Sequence, residues 1–182
     1  MNDLLKRLDG GTLISDGAAN TVADEVLNKP SLFPLLLKGL ECDRDVVRAR
    51  TAHALERISR TRPELLVPHL STLLLCAVDP VPMVKWHVAM MLGNLATTRS
   101  IASTVLPVLL SMTTEEEGVF VRSWAIVSLA RIGVSYPALR TAVTTRMRQL
   151  SKDKRLSISR KAVKTLDALE QGASLSVHWI KQ

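Results

Sequence analysis

A period of 37 residues runs through most of this 182-residue chain and constrains its fold more than any other feature. Val47-Arg48, Val84-Lys85 and Val121-Arg122 follow one another at this spacing, and a further step reaches Ile158-Ser159. We call the equivalent positions of successive copies a column. Three more columns are apolar throughout: Ala52, Ala89, Ile126 and Val163; Leu55, Leu92, Leu129 and Leu166; Ile58, Leu95, Ile132 and Leu169. Self-similarity at a fixed period predicts a stack of repeated units.

Each copy of the period predicts a pair of helices. The apolar columns recur at steps of three and four, which places them on one face of a helix. A Leu-rich helical segment precedes each copy: "SLFPLLLKGL", "PELLVPHLSTLLLCAV", "IASTVLPVLLSM" and "YPALRTAVTTRMRQL". The turns between carry acids that favour helix N-termini, among them Asp43, Asp45, Asp79, Glu115 and Asp153. One such pair cannot bury its apolar face alone, so the pairs are expected to stack.

The composition agrees with an all-α protein and excludes several other classes. Apolar residues make up 47% of the chain and aromatic residues only 3%, and β-branched residues do not alternate with polar ones as in strands. No apolar run is long enough for a membrane span. Cys42 and Cys76 lack the spacing of a zinc site or a disulfide framework, so we expect a cytoplasmic protein with unpaired thiols.

The net charge of +7 is unevenly distributed. Residues 1–43 carry four basic and seven acidic groups, and residues 44–62 carry six and two. Residues 140–164 carry nine basic groups and one acidic group. A basic surface of this kind suits anionic partners or simply keeps the protein in solution.

The repeat resembles a known family in three features. The first helix of three units carries a proline, at Pro34, Pro68 and Pro107. An acid follows at the turn, and Val with Arg or Lys then opens the second helix. This combination resembles the HEAT repeat, which implies an α-solenoid, a superhelix of stacked antiparallel helix pairs.

The resemblance also predicts how the chain is organised. We expect a single α-solenoid domain over residues 1–182, with four repeats in residues 31–172. Residues 1–30 would form a degenerate N-terminal helix pair, and residues 173–182 a tail that covers the last repeat or docks on a second molecule. The fourth repeat has no proline in its first helix, so we expect its helices to be the least regular.

The resemblance implies that the second helices line a concave surface and that this surface binds partners. On a helical wheel, three columns lie opposite the Leu55 column, with Trp86 at their margin. The candidate partner-binding residues are Arg50, His53, Arg57, Trp86, His87, Met90, Asn94, Trp124, Val127, Arg131, Lys161 and Lys164. We call this set the second-helix face. Its middle is apolar and aromatic, and its ends are basic; packing between repeats is the alternative role for each tryptophan.

The column Arg48, Lys85 and Arg122 has a different expected role. Each side chain follows a turn acid closely, so each is placed to pair with an acid of its own turn or of the next. In HEAT repeats such a ladder fixes the stacking of the units. We therefore predict ion pairs along this column rather than ligand binding.

Catalytic motifs are absent from the sequence. Its four histidines lie outside any HExxH frame, and no GxSxG, P-loop or GxGxxG motif occurs. The columns of the second-helix face contain no carboxylate, so no acid/base pair can be assigned. We predict a protein without enzymatic activity, cofactor or metal. The HEAT-like alkylpurine DNA glycosylases also bear tryptophans in a basic groove, but their chemistry uses an Asp that these columns lack.

Two functions remain open from sequence. The first is a scaffold or adaptor that binds a protein or peptide partner, of acidic character, along the concave face. The alternative is a nucleic-acid-binding module that uses the same face, because basic residues interleaved with aromatic ones serve phosphates and bases alike. Neither involves a membrane. The direction of the basic groups in residues 140–164 is the observation that separates them.

Overall fold

The structure is a computed structural model that describes residues 1–13 and 15–171. Within these ranges the chain forms helices and no strands, so the all-α prediction is confirmed. Contacts divide the chain into two compact units, Met1–Leu95 and Ala96–Gln182, here called unit 1 and unit 2. No helix of the described residues is long and apolar enough to cross a membrane. The tail at residues 173–182 and its predicted role lie outside the described ranges.

Unit 1 contains three successive helix pairs. Its α-helices are α1 (Asp3–Leu8), α2 (Ala19–Asn28), α3 (Phe33–Leu37), α4 (Asp45–Ser59), α5 (Leu70–Leu75) and α6 (Pro82–Leu95). Helix α4 packs against both α2 and α6, so the second helices of the three pairs lie side by side. Residues 1–30 do contain a helix pair, α1 and α2.

The first helices of unit 1 are short and interrupted. Turns of 3₁₀ helix flank α3 at Pro30–Leu32 and Lys38–Glu41, and others flank α5 at Pro63–Leu65, Val67–His69 and Cys76–Val78. Three of these five turns contain a proline, which lacks the N–H that would extend an α-helix. Short 3₁₀ pieces accommodate that loss.

Unit 2 contains two helix pairs, and its last pair corrects an expectation. Its helices are α7 (Arg99–Ser111), α8 (Val119–Ser135), α9 (Arg140–Leu150) and α10 (Leu156–Gln171). The prediction that the fourth repeat is the least regular is wrong. Helix α9 runs for 11 residues without a break, whereas α3 and α5 have 5 and 6. Proline by itself does not decide this regularity, because α7 contains Pro107 and still runs for 13 residues.

The apolar columns form the core, with one exception at the end of the described chain. In the first three copies every member is at most 1% exposed, including Leu55, Leu92 and Leu129. In the fourth copy Val163 is 45% exposed and Leu166 is half-buried, so the expectation of burial fails there. The reason is that α10 is the last described helix, and no further described helix packs on that side.

The predicted ion pairs are confirmed for Arg48 in unit 1 and for Arg122 in unit 2. In unit 1, Arg48 donates from Nε to Asp79 at 2.9 Å and from Nη2 to Asp45 at 2.7 Å. In unit 2, Arg122 donates from Nη2 to Asp153. Each arginine thus reaches an acid of the next turn, and Arg48 also uses one of its own turn.

Asp79 and Asp153 each accept a hydrogen bond from a backbone N–H as well as from an arginine side chain. Oδ1 of Asp79 accepts from the Val81 N–H, and Oδ1 of Asp153 accepts from the Arg155 N–H, both at 2.8 Å. Burial by itself would raise the pKa of Asp153, but the hydrogen bonds from Arg122 and the Arg155 N–H hold that pKa below its usual value. The carboxylate therefore remains charged and ties the start of α10 to α8.

Candidate partner-binding face

Arg50 is committed to holding the N-terminal loop of unit 1. Its side chain is 3% exposed, so the expectation that it lies open on a binding face is wrong. The guanidinium donates to four backbone carbonyls of the loop between α1 and α2, those of Leu8, Gly10, Thr12 and Ser15. Arginine suits this task because its five N–H donors lie in a fixed fork.

Gly17 leaves the space that the Arg50 guanidinium occupies. Its φ is +50°, a left-handed conformation that glycine adopts without strain. A Cβ at this position would lie 2.6 Å from Cζ of Arg50, so any side chain would displace the guanidinium. The loop and the arginine are therefore fitted to each other.

Arg50→Lys is expected to release this loop without unfolding unit 1. A lysine ammonium replaces a planar fork with a point charge, so several carbonyls lose their donor. Loss of one hydrogen bond to a charged group costs about 1.5 to 3 kcal/mol, which corresponds to amide exchange faster by roughly tenfold to a hundredfold. Hydrogen exchange should show this at residues 10–13 and 15–17 but not in α4. Arg57→Lys, at an exposed ion pair, is the matched control, and equal protection in both variants would contradict the assignment.

The Trp86-His87 pair is a closed hydrogen-bonded unit. His87 is 7% exposed, its Nδ1–H donates to the Met83 carbonyl at 2.8 Å, and its Nε2 accepts from the Trp86 Nε1–H at 3.4 Å. Both nitrogens are satisfied only when the ring is neutral, because a proton on Nε2 would face the Trp86 donor. Burial first, and then the neighbouring His53, lower the pKa of His87 to about 3. This histidine is therefore a structural group rather than an acid or base.

His53 stacks on His87 and links α4 to α6. The two rings lie 4.8 Å apart at an interplanar angle of 15°. Nδ1 of His53 is 3.5 Å from a carboxylate oxygen of Asp16, in the loop that Arg50 holds. Burial lowers the pKa of His53, while Asp16 and Glu56 oppose that shift. Both histidines of the predicted face thus belong to one internal cluster.

Carboxylates lie beside this face, although its columns contain none. Glu56 is 1% exposed and accepts from Nε of Arg60 at 2.9 Å, from Nη2 of Arg60 at 2.6 Å and from Asn94 at 3.3 Å. Asn94 also donates to Oγ of Ser59 at 2.8 Å. Arg57 donates to Asp24 of α2 at 2.8 and 3.1 Å. Both oxygens of Glu56 thus have donors. Asp24 accepts through one oxygen only, and the side chains of Asp16 and Asp24 are more than half exposed.

Sequence reasoning missed three of these acids, Asp16, Asp24 and Glu56. The signal for Glu56 was present, since Glu56 and Arg60 stand four residues apart on one helix. Asp16 and Asp24 had no such signal, because residues 1–30 lie outside the repeat. Three carboxylates therefore lie beside the face, of which Glu56 is buried and hydrogen-bonded through both oxygens.

Unit 2 presents a different surface at the same columns. Trp124 and Arg131 of α8 are half-buried, and Val127 is 3% exposed. On α10, Lys161 is half-buried and Lys164 is exposed. Burial, and then repulsion by Lys164, lower the pKa of Lys161. In unit 1, Met90 and Trp86 are the half-buried apolar members.

The basic groups of residues 140–164 are divided between two surfaces. Arg160, Lys161 and Lys164 lie on the second helix α10. Arg146 and Arg148 lie on the first helix α9, and Lys152 and Lys154 in the turn that follows it. The charge therefore does not form one stripe along the second helices.

This chain belongs to the HEAT-repeat family. Residues 33–130, more than half of the chain, match the family model for HEAT repeats. The resemblance stated from sequence is thereby confirmed. No curated protein is similar enough in sequence to be matched to the chain.

Solved structures show the same fold. An engineered protein superposes with a TM-score of 0.66 at 17% identity, over 95% of this chain and 80% of its own. The crystal structure of the karyopherin Kap121p bound to the SUMO protease Ulp1p superposes with a TM-score of 0.67 at 21% identity. That match covers 85% of this chain but only 17% of the karyopherin, so this chain spans a small part of that protein's length. These identities establish the α-solenoid fold alone.

Proposed function

We propose that this protein is a non-enzymatic HEAT-repeat adaptor that binds an acidic peptide segment of a partner protein on the second-helix face of unit 2. One observation carries the proposal: Trp124, Lys161 and Lys164 are accessible where α8 and α10 pack together. An aromatic ring beside two cations suits a peptide with acidic and apolar side chains.

The electrostatics of α10 support an anionic partner. Lys161 is partly removed from water beside Lys164, which disfavours its charged form. A carboxylate brought close to both ammonium groups would relieve this repulsion and replace lost hydration. The nine basic groups of residues 140–164 would also speed the encounter with an acidic partner.

The corresponding surface of unit 1 supports placing the peptide-binding site on unit 2. Arg50, His53 and His87 are engaged internally, and Arg57 and Asn94 bind Asp24 and Glu56. Unit 1 therefore contributes a rigid support, with Trp86 and Met90 as its half-buried apolar positions. We further propose a cytoplasmic location, which rests on the free thiols of Cys42 and Cys76.

The absence of enzymatic activity is part of this proposal. The buried carboxylate of Glu56 in unit 1 is engaged by Arg60 and Asn94, and the described residues contain no cluster of metal-ligating side chains. The family fold is one that typically binds proteins. The karyopherin relative, crystallised with a SUMO protease, is the example that suggests a protein partner.

The test is a peptide-display selection against the full chain, followed by binding measurements on the selected peptides. We expect acidic sequences with an aromatic or aliphatic residue, and we expect the Lys161→Gln/Lys164→Gln double variant to lose them. The Lys6→Gln/Lys29→Gln variant makes the same charge change at exposed positions of unit 1 and should bind normally. Selection of neutral peptides, or equal loss in both variants, would exclude the proposal. Single-stranded DNA bound tighter than any peptide would favour the nucleic-acid alternative.

Trp124→Ala is expected to weaken binding of a selected peptide roughly 30-fold or more, because aromatic anchors commonly contribute about 2 kcal/mol or more. The thermal midpoint should change little, since Trp124 is only half-buried. Trp86→Ala is the contrasting variant: it removes the hydrogen bond to His87 and should lower the midpoint instead. A large loss of stability in Trp124→Ala, with unaltered binding per folded molecule, would make Trp124 a packing residue.

A further inference from the structure

A basic pocket lies in unit 2, away from the second-helix face. The turns before α8 and α10, together with the end of α9, enclose about 190 Å³. The charged side chains that line it are Arg122, Arg146, Lys152, Lys154, Glu115 and Asp153. Four cations therefore face two carboxylates. Pockets for drug-sized ligands begin at roughly 300 Å³, so this one suits a single small group.

Arg122 is the buried member of this lining and is incompletely paired. Its side chain is 2% exposed. Nε donates to the Thr113 carbonyl at 3.1 Å and Nη2 donates to Asp153. Nη1 donates to no acceptor within residues 1–13 and 15–171. Nη1 is not among the fully buried atoms that lack a partner, so this end of the guanidinium is open to the pocket and can donate to a ligand there.

The equivalent arginine of unit 1 shows what Arg122 lacks. Arg48 occupies the same column two periods earlier, and all three of its nitrogens have acceptors. Nη1 donates to the Cys42 carbonyl at 2.8 Å and the Asp43 carbonyl at 3.1 Å, while its other nitrogens bind Asp45 and Asp79.

A sequence difference accounts for one of the acceptors that Arg48 has and Arg122 lacks. The position that holds Asp45 in the first repeat holds Val119 in the third. Arg122 therefore hydrogen-bonds one carboxylate where Arg48 hydrogen-bonds two, and the exposed Glu116 acts on Arg122 only through its charge. This difference in carboxylates comes from the sequence at the turn, because the fold is the same in both repeats.

Arg146 adds a second incompletely used guanidinium. Its Nε donates to Oγ1 of Thr113 at 2.7 Å and its Nη1 donates to Gln149 at 2.9 Å. Its Nη2 donates to no described acceptor. Donors thus reach the pocket from α8 and from α9, and Lys152 and Lys154 add charge from the turn.

We infer that this pocket binds a phosphate group, whose oxygens replace the carboxylate that Asp45 provides to Arg48. A phosphate accepts from several donors at once and pairs strongly with arginine. A phosphate monoester carries about −1.5 to −2 charges near pH 7. The lining has two more cations than carboxylates, and Glu116 beside it offsets part of that excess. The site lies at the turns of unit 2 and does not depend on peptide binding at Trp124.

The direct test is an NMR titration of the full chain with inorganic phosphate at constant ionic strength. Saturable shifts are expected for amides of residues 113–122 and 146–156, with none in unit 1. Acetate should bind at least tenfold more weakly, about the difference made by one charge-assisted hydrogen bond. Shifts that do not saturate, or acetate binding as tight as phosphate, would overturn the inference.

Variants make the test specific to the missing carboxylate. Val119→Asp supplies the acid of the first repeat at the first residue of α8, where an acid is favourable. It should weaken phosphate binding roughly tenfold or more while the protein stays folded. Glu115→Gln removes a competing carboxylate and should strengthen binding, whereas Lys152→Gln should weaken it. Lys29→Gln, an equal charge change in unit 1, is the control; an unaffected Val119→Asp protein would refute the site.

A phosphoserine peptide, compared with its unphosphorylated form, identifies the source of the group. Tighter binding of the phosphopeptide than of inorganic phosphate assigns the pocket to phosphorylated partners. Equal binding of the two assigns it to free phosphate. Trp124→Ala should leave either titration unchanged, so failure of the adaptor proposal and failure of this one are distinguishable.

Discussion

Leu92→Ala is expected to lower the free energy of unfolding by about 2 to 5 kcal/mol. Leu92 is fully buried, and its column is apolar in every copy of the repeat. The substitution removes apolar contacts and leaves a cavity between α6 and its neighbours that a close-packed stack cannot fully close. Because domains are stable by only about 5 to 15 kcal/mol, a large part of the margin would be lost. Urea unfolding at pH 7.5 measures the change.

Leu75→Ala is the matched control for this experiment. It is the same substitution in the same unit, but Leu75 is 75% exposed. Surface substitutions usually change stability by about 0.5 kcal/mol or less. If the two variants unfold at the same denaturant concentration, the assignment of the Leu55 column to the core is wrong.

Acid is expected to destabilise the protein between about pH 6 and pH 4, a window that begins above the pKa of its carboxylates. The folded pKa of His87 is about 3, far below the usual value near 6.5. Above pH 6.5 the ring is neutral in both states and the pH has no effect through this group. Below pH 6.5 the His87 ring is protonated in the unfolded chain but stays neutral in the folded protein. Stability should therefore fall by about 1.4 kcal/mol per pH unit, or about 2.5 kcal/mol in this window.

The groups around the His87 ring determine that its pKa is lowered in the folded protein. The stacked His53 and the cation of Arg60 face His87 from α4, and both disfavour a charged ring. The Met83 carbonyl favours it but is outweighed by burial. His53, whose pKa is also lowered, should add to the effect, although Asp16 and Glu56 moderate it.

His87→Phe separates this cause from general acid sensitivity. Phenylalanine keeps a ring against His53 but removes both nitrogens, so the Met83 carbonyl and the Trp86 N–H lose their partner. The variant should be less stable at pH 7.5 and should show a shallower slope of unfolding free energy between pH 6 and pH 4. Parallel slopes for the variant and the wild type would refute the role of His87.

Several side chains of the second-helix face are paired within unit 1. Side chains that would bind a partner in an open repeat array instead bind the N-terminal loop and the neighbouring helix. Such pairing fixes the positions of α2, α4 and α6 with respect to one another. Under the proposed function recognition falls to unit 2, where Lys164 of α10 is exposed and Lys161 is half-buried.

The sequence by itself determined the repeat, the helix pairs, the buried columns of the first three copies and the ion pairs from the Arg48 column. These follow from periodicity, because residues 37 apart occupy equivalent places in a stack and the nearest turn acid is fixed by the same spacing. The sequence alone also shows that Asp45 is replaced by Val119, because the two occupy equivalent positions of the repeat.

Only the tertiary structure decided which members of the second-helix face are accessible. A helical wheel gives the direction of Arg50 but not the loop that meets it, and the loop belongs to residues 1–30, outside the repeat. The low pKa of His87 likewise depends on burial and on a ring from another helix. The exposure of Val163 has the same origin: the column predicts an apolar residue, but burial needs a neighbour, and periodicity cannot state where the stack ends.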